Sequence, residues 1–461
     1  MTQGQRQRAA VILAAGKGTR MKSPLPKVMH AVAGRPMVDW SIELARTVGA
    51  ARIVAVVHPS QDVLIAHLQK HHADVAIAFQ DPPQGTGHAV RCAEGALAGF
   101  EGDLAVLYGD SPLVPAATIE GLFATLSETT GLGVLGFEAD EPGLYGRLIT
   151  GADGSLEAIV EAREASPEQL QVRLCNSGVM AGRAKDMFRL LANVTNNNAK
   201  GEYYLTDLVG LARAERIRCA AAVSGEDDLI GCDSKADLAE AEAIFQRRRR
   251  RALMDAGVTM VAPETVFLSH DTEIGADAVI EPNVVFGPGV RVAGGAQIRA
   301  FSHLEGAVVG EGCSVGPYAR LRPGTVLAAN VHIGNFVETK NTEMGEGAKA
   351  NHLAYLGDGS IGAGANIGAG TIFCNYDGFF KHHTEVGEGA FVGSNSSLVA
   401  PVKIGDGAYI GSGSVITKDV AADALAVARG RQMEREGWGA EFRTKKAAEK
   451  AARGSGKDKK G

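Results

Sequence analysis

The stretch EIGADAVIEPNVVFGPGVRVAGGAQIRAFSHL, residues 273–304, puts an apolar side chain at every sixth position: Ile274, Ile280, Phe286, Val292, Ile298 and Leu304. A spacing of six sustained over so many positions fits neither the 3.6-residue period of a helix nor a hairpin meander. It is the period of the hexapeptide repeat, one short strand and one turn per unit, stacked into a parallel β-helix with the apolar residue pointing into the column. The series continues through Val309, Val315, Leu321, Leu327 and Ile333. It resumes at Ile361, Ile367 and Phe373, and again from Val386 through Val392, Leu398, Ile404 and Ile410 to Ile416. Of the 59 glycines, 27 fall between residues 271 and 420. Many directly follow the apolar position, as in Ile404-Gly405 and Ile410-Gly411, where a side chain would crowd the turn.

Residues 8–230 have a different texture. Apolar β-rich runs (Ala10–Ala14, Arg52–Val57, Asp103–Tyr108) alternate with helix-period segments, which predicts an α/β domain with a mainly parallel sheet. Between the two textures, Asp237 to Val258 reads as a helix with acids early, bases late and Gly257 as its stop. Its run Arg247–Arg251 reads as a solvated face, and the polar tail after Phe442 as disordered. The expected division is 1–232 for the α/β domain, 233–257 for a helical linker, 258–443 for the repeats and 444–461 for a basic tail.

The whole chain has 461 residues and a net charge of −6, so attraction to nucleic acid is not expected. Its six cysteines are scattered without a C-x-x-C spacing; they imply a reducing compartment and no zinc site. No apolar run reaches the roughly 20 residues of a membrane span, and Met1–Ala10 is polar, so a cytoplasmic protein without a membrane partner is expected.

Chemistry is concentrated after the first strand, in Leu13-Ala14-Ala15-Gly16-Lys17-Gly18-Thr19-Arg20-Met21, with Lys27 six residues further on. A doubly wound sheet binds its ligand beyond the carboxyl ends of its strands. The string is neither a P-loop nor a dinucleotide fingerprint. Its small residues let backbone N–H groups approach phosphates, and Arg20 and Lys27 add positive charge. Further strings follow in order: Gln80–Gly87 (QDPPQGTG), Leu107–Asp110 (LYGD), Tyr145–Arg147 (YGR), Ile159–Glu161, Asn176–Gly178 and Thr195–Leu208.

Together these strings resemble the sugar-phosphate nucleotidyltransferases. With the hexapeptide array behind them, the chain from about residue 10 to Trp438 is similar to the bacterial bifunctional N-acetylglucosamine-1-phosphate uridyltransferases/glucosamine-1-phosphate acetyltransferases. The resemblance implies a Rossmann-like α/β domain joined by a helical linker to a left-handed parallel β-helix. It implies two reactions that make UDP-N-acetylglucosamine: acetyl transfer from acetyl-CoA to glucosamine 1-phosphate, then uridylyl transfer from UTP to N-acetylglucosamine 1-phosphate. It further implies a magnesium ion, small-molecule partners and a homotrimer. The alternative is a single-function nucleotidyltransferase whose β-helix only assembles subunits; a sugar-nucleotide scaffold or sensor is a third class.

Residue by residue, the resemblance gives Asp110 as a magnesium ligand and Arg20 and Lys27 as the stabilisers of the transferring phosphate. Leu13, Ala14, Ala15, Gly16, Gln80, Gly85 and Thr86 would hold the uridine side, beside Tyr108 and Gly109, while Gly146, Glu161 and Asn176 would bind the sugar. The second metal ligand is an Asn in the family and Asp233 here, so an added negative charge stands beside the phosphates. On its own residues, an Asp at that place reads as a helix cap. In the repeats, His352 matches the general base that an attacking amine needs. Arg322, Lys340, Tyr355, Asn366 and Lys381 would bind glucosamine 1-phosphate; Ala369, Asn375, Tyr376, Ser394, Ser412 and Arg429 would line the acetyl-CoA groove. Ser412 stands where the family often has Ala. His382 and His383, in the irregular insertion, read as surface residues, and Arg320 as a solvated turn residue.

Overall fold

Alternate residues of the first strand face opposite ways, and this sets the layering of the N-terminal half. In β1 (Arg8–Leu13), Ala9 and Val11 enter one apolar core while Ala10 and Ile12 enter another, so both faces of the sheet must be covered. The computed structural model describes residues 6–198 and 200–454. The chain forms two compact units, Met1–Gly306 and Ala307–Gly461; their division falls inside the hexapeptide series.

In the first unit, helices alternate with strands: α1 (Met37–Thr47), β2 (Ala50–Val57), α2 (Asp62–His71), β3 (Ala76–Phe79), α3 (Thr86–Cys92), β4 (Asp103–Tyr108), α4 (Ala116–Ala124) and β5 (Thr130–Glu138). There follow β6 (Arg147–Thr150), β7 (Leu156–Val160), β8 (Leu174–Arg183), α5 (Ala184–Leu191), α6 (Asp207–Ala214) and β9 (Arg218–Ser224). The strand order is β9-β5-β8-β4-β1-β2-β3, with β6 and β7 as a hairpin beside β8. Pairing along this order is parallel except at β8, which runs antiparallel to β4 and β5; β6 is antiparallel to both β7 and β8. Residues of α1, α2 and α4 (Ile42, Leu68, Ile119) close one face, and those of α3, α5 and α6 (Val90, Met187, Leu208) the other. The chain travels outward from β1 to β3 and returns to β4 on the other side of β1. The crevice between the carboxyl ends of β1 and β4 is therefore the topological switch point, where such sheets bind ligands.

Helix α7 (Lys235–Asp255) is docked on this domain through Leu238, Ala241, Ile244 and Phe245, which meet Met21, Val32, Met37 and Trp40. The expected solvated arginine face holds for Arg247, Arg248 and Arg251, which are exposed, while Arg249 and Arg250 are half-buried, and each of the five has a partner. Arg247 and Arg248 pair with Asp227 and Asp228 at 2.7 Å each, and Arg251 with Asp255 at 2.9 Å. Arg249 donates to the carbonyl of Thr272 and Arg250 to that of Val266. Guanidinium groups have five donors and suit this bridging of carboxylates and free carbonyls. Gln246, 2% exposed, adds two bonds to the backbone of Leu268.

The repeats form left-handed parallel β-helix coils. In the first unit Glu273 pairs with Arg291, Val279 with Gln297 and Val285 with His303, each 18 residues on, so one coil is three hexapeptides. The sixth-position residues are buried and the residues before them exposed, as at Phe286, Ile298 and Leu304. In the second unit the step is again 18 at Ala307–Thr325 and Arg320–Glu338. It shortens to 17 at Lys349–Asn366 and Tyr355–Ile372, lengthens to 25 at Gly359–Thr384 and Ile372–Ser397, and returns to 18 at Phe391–Tyr409. The coil that holds the expected irregular insertion, with His382 and His383, is thus seven residues longer than a regular coil (25 − 18).

The tail expectation is corrected. Residues Trp438–Gly454 form a helix, α8, with Trp438 stacked on Phe442 and Lys446 paired to Glu449. Its alanines and long charged side chains are good helix formers, which outweighs polarity over this length. Residues 455–461 of the expected basic tail lie outside the described residues.

A fragment ending at Gly306 should melt above one ending at Gly257. The shorter piece loses the bonds of Gln246, Arg249 and Arg250 to residues 266–272, at about 1 kcal/mol for each buried bond, which corresponds to roughly 5 °C or more. Calorimetry of the two fragments checks this, and equal midpoints would show that α7 needs no repeat partners.

Candidate active sites

At the switch point lies a cavity of about 440 Å³. Of the residues expected on the nucleotide and sugar sides, Leu13, Ala14, Ala15, Gly16, Lys27, Gln80, Gly85, Thr86, Tyr108, Asp110, Glu161 and Asn176 line it. Gly109 and Gly146 are beside it rather than in the lining: Gly109 N–H bonds the carbonyl of Leu13, and Gly146 carbonyl accepts from Asn176 N–H. Lys200, Glu202, Tyr204 and Thr206 also line the cavity. They belong to the quoted Thr195–Leu208 string, whose individual residues sequence reasoning did not assign.

Two glycines allow this closeness. Gly18 has φ +58, and a Cβ there would lie 2.6 Å from Lys27 Cβ; the loop folds down over the lysine. Gly85 has φ +101, and a Cβ there would meet the Tyr203 carbonyl at 2.6 Å. The Gln80–Gly87 loop is pinned to that segment by Gly87 N–H to Tyr203 O and Tyr203 N–H to Gln84 O, 2.8 Å each.

The four expected charged residues meet. Lys27 Nζ bonds Asp110 Oδ2, and lies 2.8 Å from Asp233 Oδ1; Arg20 pairs with Asp233 Oδ2 at 2.8 Å. Burial opposes the charge on Lys27, but Asp110 and Asp233 outweigh it and hold its pKa above the ordinary lysine value. Two carboxylates therefore face one cation position with hard oxygen donors. The helix cap is not Asp233. Ser234 accepts from Asp237 N–H, and Asp237 reaches back to the N–H groups of Ser234 and Asp233, a complete capping box. Asp233 is left to face Lys27 and Arg20. Next to it, burial reinforced by Asp110 and Asp237 pushes the Cys232 thiol up to about 12, so it stays protonated.

Gln80 is 4% exposed, and its amide nitrogen bonds the Gly85 carbonyl at 2.9 Å and His88 Nδ1 at 3.3 Å. A carbonyl only accepts, so the Gln80 nitrogen points away from the base side and its oxygen remains available. Burial, with Arg91 adding to it, lowers the pKa of His88 and favours the neutral ring, in which the Gln80 N–H makes Nδ1 the acceptor.

In the second unit, the coil register sorts the expected residues into two columns on different faces. Ala350 faces Ile367, Ile367 faces Val392 and Val392 faces Ile410, which stacks His352, Ala369, Ser394 and Ser412 two residues further along. Arg429 ends this column by donating to the Ser412 carbonyl at 2.7 Å. His352 Nδ1 bonds Asn335 Oδ1 at 2.7 Å. An amide oxygen only accepts, so Nδ1 carries the proton and Nε2 a free lone pair.

The other column holds Arg322 and Lys340, since Leu321 faces Thr339 and Lys340 faces Gly357. Tyr355 stands opposite Glu338, which binds Arg322 at 2.8 Å and is 3.6 Å from Arg320. Arg320, read as solvated, is exposed but shares that carboxylate. Asp358 gathers Asn341, Asn375 and Lys381, at 3.0, 2.6 and 3.8 Å. Lys381 also sits 5.7 Å over the ring of Tyr376. Asn366 faces Lys349 and Phe391, in the strand series of His352. His382 is tied to Asp377 within the insertion and His383 to Ser360. Asn335 and Asp358 were not singled out from sequence; only the register places them beside the others.

Comparison with known proteins supports both units. Residues 10–170 match the MobA-like NTP transferase domain, and residues 306–341 and 383–418 match the bacterial transferase hexapeptide repeats. The stretch between those repeat matches contains the shortened and lengthened coils. The chain is 88% identical to the bifunctional protein GlmU of Hyphomonas neptunium over all 461 residues, 100% of each chain. It is 56% identical to that of Caulobacter vibrioides, over 99% of this chain and 98% of the relative, and 54% to that of Sphingopyxis alaskensis, over 96% and 98%.

The cap assignment has a direct test. Ser234→Ala should cost about 1 kcal/mol of stability in urea unfolding, while Ser234→Asn, which can still cap, stays within about 0.5 kcal/mol of the parent. No loss of stability in Ser234→Ala would return the cap to Asp233.

Proposed function

The chain belongs to the family of bifunctional GlmU proteins, and from that premise we propose how its residues divide the work. It is a bifunctional transferase that makes UDP-N-acetylglucosamine by acetylating glucosamine 1-phosphate from acetyl-CoA and then uridylylating N-acetylglucosamine 1-phosphate from UTP, with release of pyrophosphate. The product serves cell-wall synthesis.

Uridylylation belongs to the switch-point cavity, and the observation that carries this is the Asp110–Lys27–Asp233–Arg20 cluster at its side. The reaction brings two polyanions together, so charge must be neutralised. Asp110 and Asp233 would hold Mg²⁺, whose preference is for such oxygen donors and which, when bound, neutralises phosphate charge. Lys27 and Arg20 then turn from the carboxylates to the transferring phosphate, with no covalent protein intermediate. Leu13–Gly16, Gly85 and Thr86 hold the nucleotide. Gln80, with its N–H groups engaged by Gly85 and His88, offers its oxygen to the N3–H of uracil; cytosine has only a lone pair there. Glu161, Asn176 and Gly146 bind the sugar, with Tyr108 and Gly109 at the edge.

Acetylation belongs to the repeats. The attacking amine must lose a proton, and Nε2 of His352 takes it while Asn335 holds the ring; the amine nitrogen bonds the acetyl carbon and the thiolate of CoA leaves. Acetyl-CoA runs along Ala369, Ser394 and Ser412 to Arg429, near Asn375 and Tyr376. Arg322, Lys340, Tyr355, Asn366 and Lys381 bind the sugar phosphate. One chain carries base and cations on different faces, which is why a homotrimer suits the reading: a neighbour's face completes the site. The exposed column Tyr318, Phe336 and Leu353, bulky residues at positive φ, supplies apolar surface for such a neighbour. The functional divisions of this reading are 232 and 257, and the third, expected at 443, moves to the start of α8 at Trp438. Cytoplasmic substrates are the partners; no helix among the described residues is long and apolar enough to cross a membrane.

Asp110→Asn should abolish pyrophosphate release from UTP and leave acetylation within a few-fold. His352→Ala should lower thiol release from acetyl-CoA by roughly 10²- to 10⁴-fold with uridylylation intact. Loss of both activities in either folded variant would refute the separation. Asn335→Ala should lower acetylation by roughly tenfold and move its pH profile, because it frees the ring without removing the base. An unchanged profile would make Asn335 a purely structural partner.

A further inference from the structure

A second set of ligand-type side chains lies on helices α1 and α2, apart from the groups assigned above. His67 and His72 both direct Nε2 at one oxygen of Asp39, at 2.7 and 3.0 Å. The three ligand atoms lie within 4.8 Å of one another. Their side chains are largely shielded, at 16% exposure for His67, 14% for Asp39 and 8% for His72. They line a cavity of about 410 Å³ together with His71 and Glu43. His71 follows His67 by one helical turn, with ring centroids 4.9 Å apart.

Two imidazole N–H groups converging on one carboxylate oxygen hold two protons where a single dication fits. Around a tetrahedral ion with bonds of about 2.0–2.1 Å, ligand atoms stand about 3.3 Å apart, so the observed 2.7 and 3.0 Å need to open by about 0.6 and 0.3 Å. Two nitrogen donors and one carboxylate suit a borderline transition metal and not Mg²⁺, which prefers an all-oxygen shell. We propose that Asp39, His67 and His72 form a binding site for a divalent transition-metal ion, Zn²⁺ being the species their donors favour, with His71 within a helical turn as a fourth ligand. The ion would clamp the start of α1 to the end of α2.

Arg46 opposes this site. Its Nη1 lies 3.2 Å from His72 Nδ1, and since a guanidinium only donates, that nitrogen is an acceptor and Nε2 carries the proton. Ligation through Nε2 moves the proton to Nδ1, so Arg46 must turn that N–H away. Its bonds to Asp74 and Glu43 hold it without His72. Removing Arg46 should therefore strengthen metal binding.

The test is calorimetric titration of the untagged, chelator-treated full chain with Zn²⁺ in excess Mg²⁺, with Co²⁺ ligand-field spectra as a second readout. One ion per chain is expected, with a rise in melting temperature. Asp39→Asn and His67→Gln keep hydrogen-bonding groups of similar size and should each weaken binding at least tenfold. Arg46→Met should tighten it several-fold. Absence of binding to the folded chain would overturn the proposal, as would binding untouched by both ligand variants. Weaker binding in Arg46→Met would likewise contradict the proton placement on which the ligand set depends.

Discussion

A parallel coil can stack only if each turn returns to the same face in step, and the second half of this molecule depends on that constraint. Three hexapeptides make one step of 18, and every buried sixth residue then lies on the one below it. Burying each such side chain contributes roughly 1.5–3 kcal/mol, so a slip within a strand would forfeit many contacts at once. Length changes are therefore confined to the corners. The shortened and lengthened steps occur there, near Asn341, Asp358 and the 374–383 insertion, among the polar groups assigned to acetyl transfer. Column stacking also explains why Ala369, Ser394, Ser412 and Arg429, distant in sequence, share an edge with His352.

The first half depends on a charge balance. Lys27 is largely buried, which alone would be costly; Asp110 at the end of β4 and Asp233 before α7 make it tolerable. Its raised pKa means that its contribution is complete at neutral pH and is lost only in alkali, as pH climbs through the folded-state value. The same three groups tie the Gly18 loop, the central strand and the start of α7 to one point. The helix that leaves that point is then fixed by its arginines to the first repeats, so the switch-point crevice and the docking of α7 share an anchor.

Much of this was legible in the sequence. The six-residue period is local, and the nucleotide-side strings carry their small and charged residues in close order, so both could be read without a structure. What could not be read depends on register or on competition. Asn335 and His352 are 17 residues apart, a separation that means nothing until the coil is known to shorten. Asp233 reads as a cap until Ser234 and Asp237 are seen to take that role. Five consecutive arginines give no hint in sequence of their acceptors, among them three aspartates and two carbonyls. The helix at Trp438–Gly454 shows that a polar stretch rich in alanine and lysine is not thereby disordered.

On this reading one chain performs two successive transfers, uridylylation at the switch-point cavity and acetylation in the repeats. Incubating it with glucosamine 1-phosphate, acetyl-CoA, UTP and magnesium, and following all species by mass, tests this most directly. N-acetylglucosamine 1-phosphate should appear first, then UDP-N-acetylglucosamine with free CoA and pyrophosphate, and omitting acetyl-CoA should stop formation of the acetylated sugar nucleotide. Accumulation of N-acetylglucosamine 1-phosphate without any sugar nucleotide, or uridylylation without acetylation of the supplied amine, would contradict it.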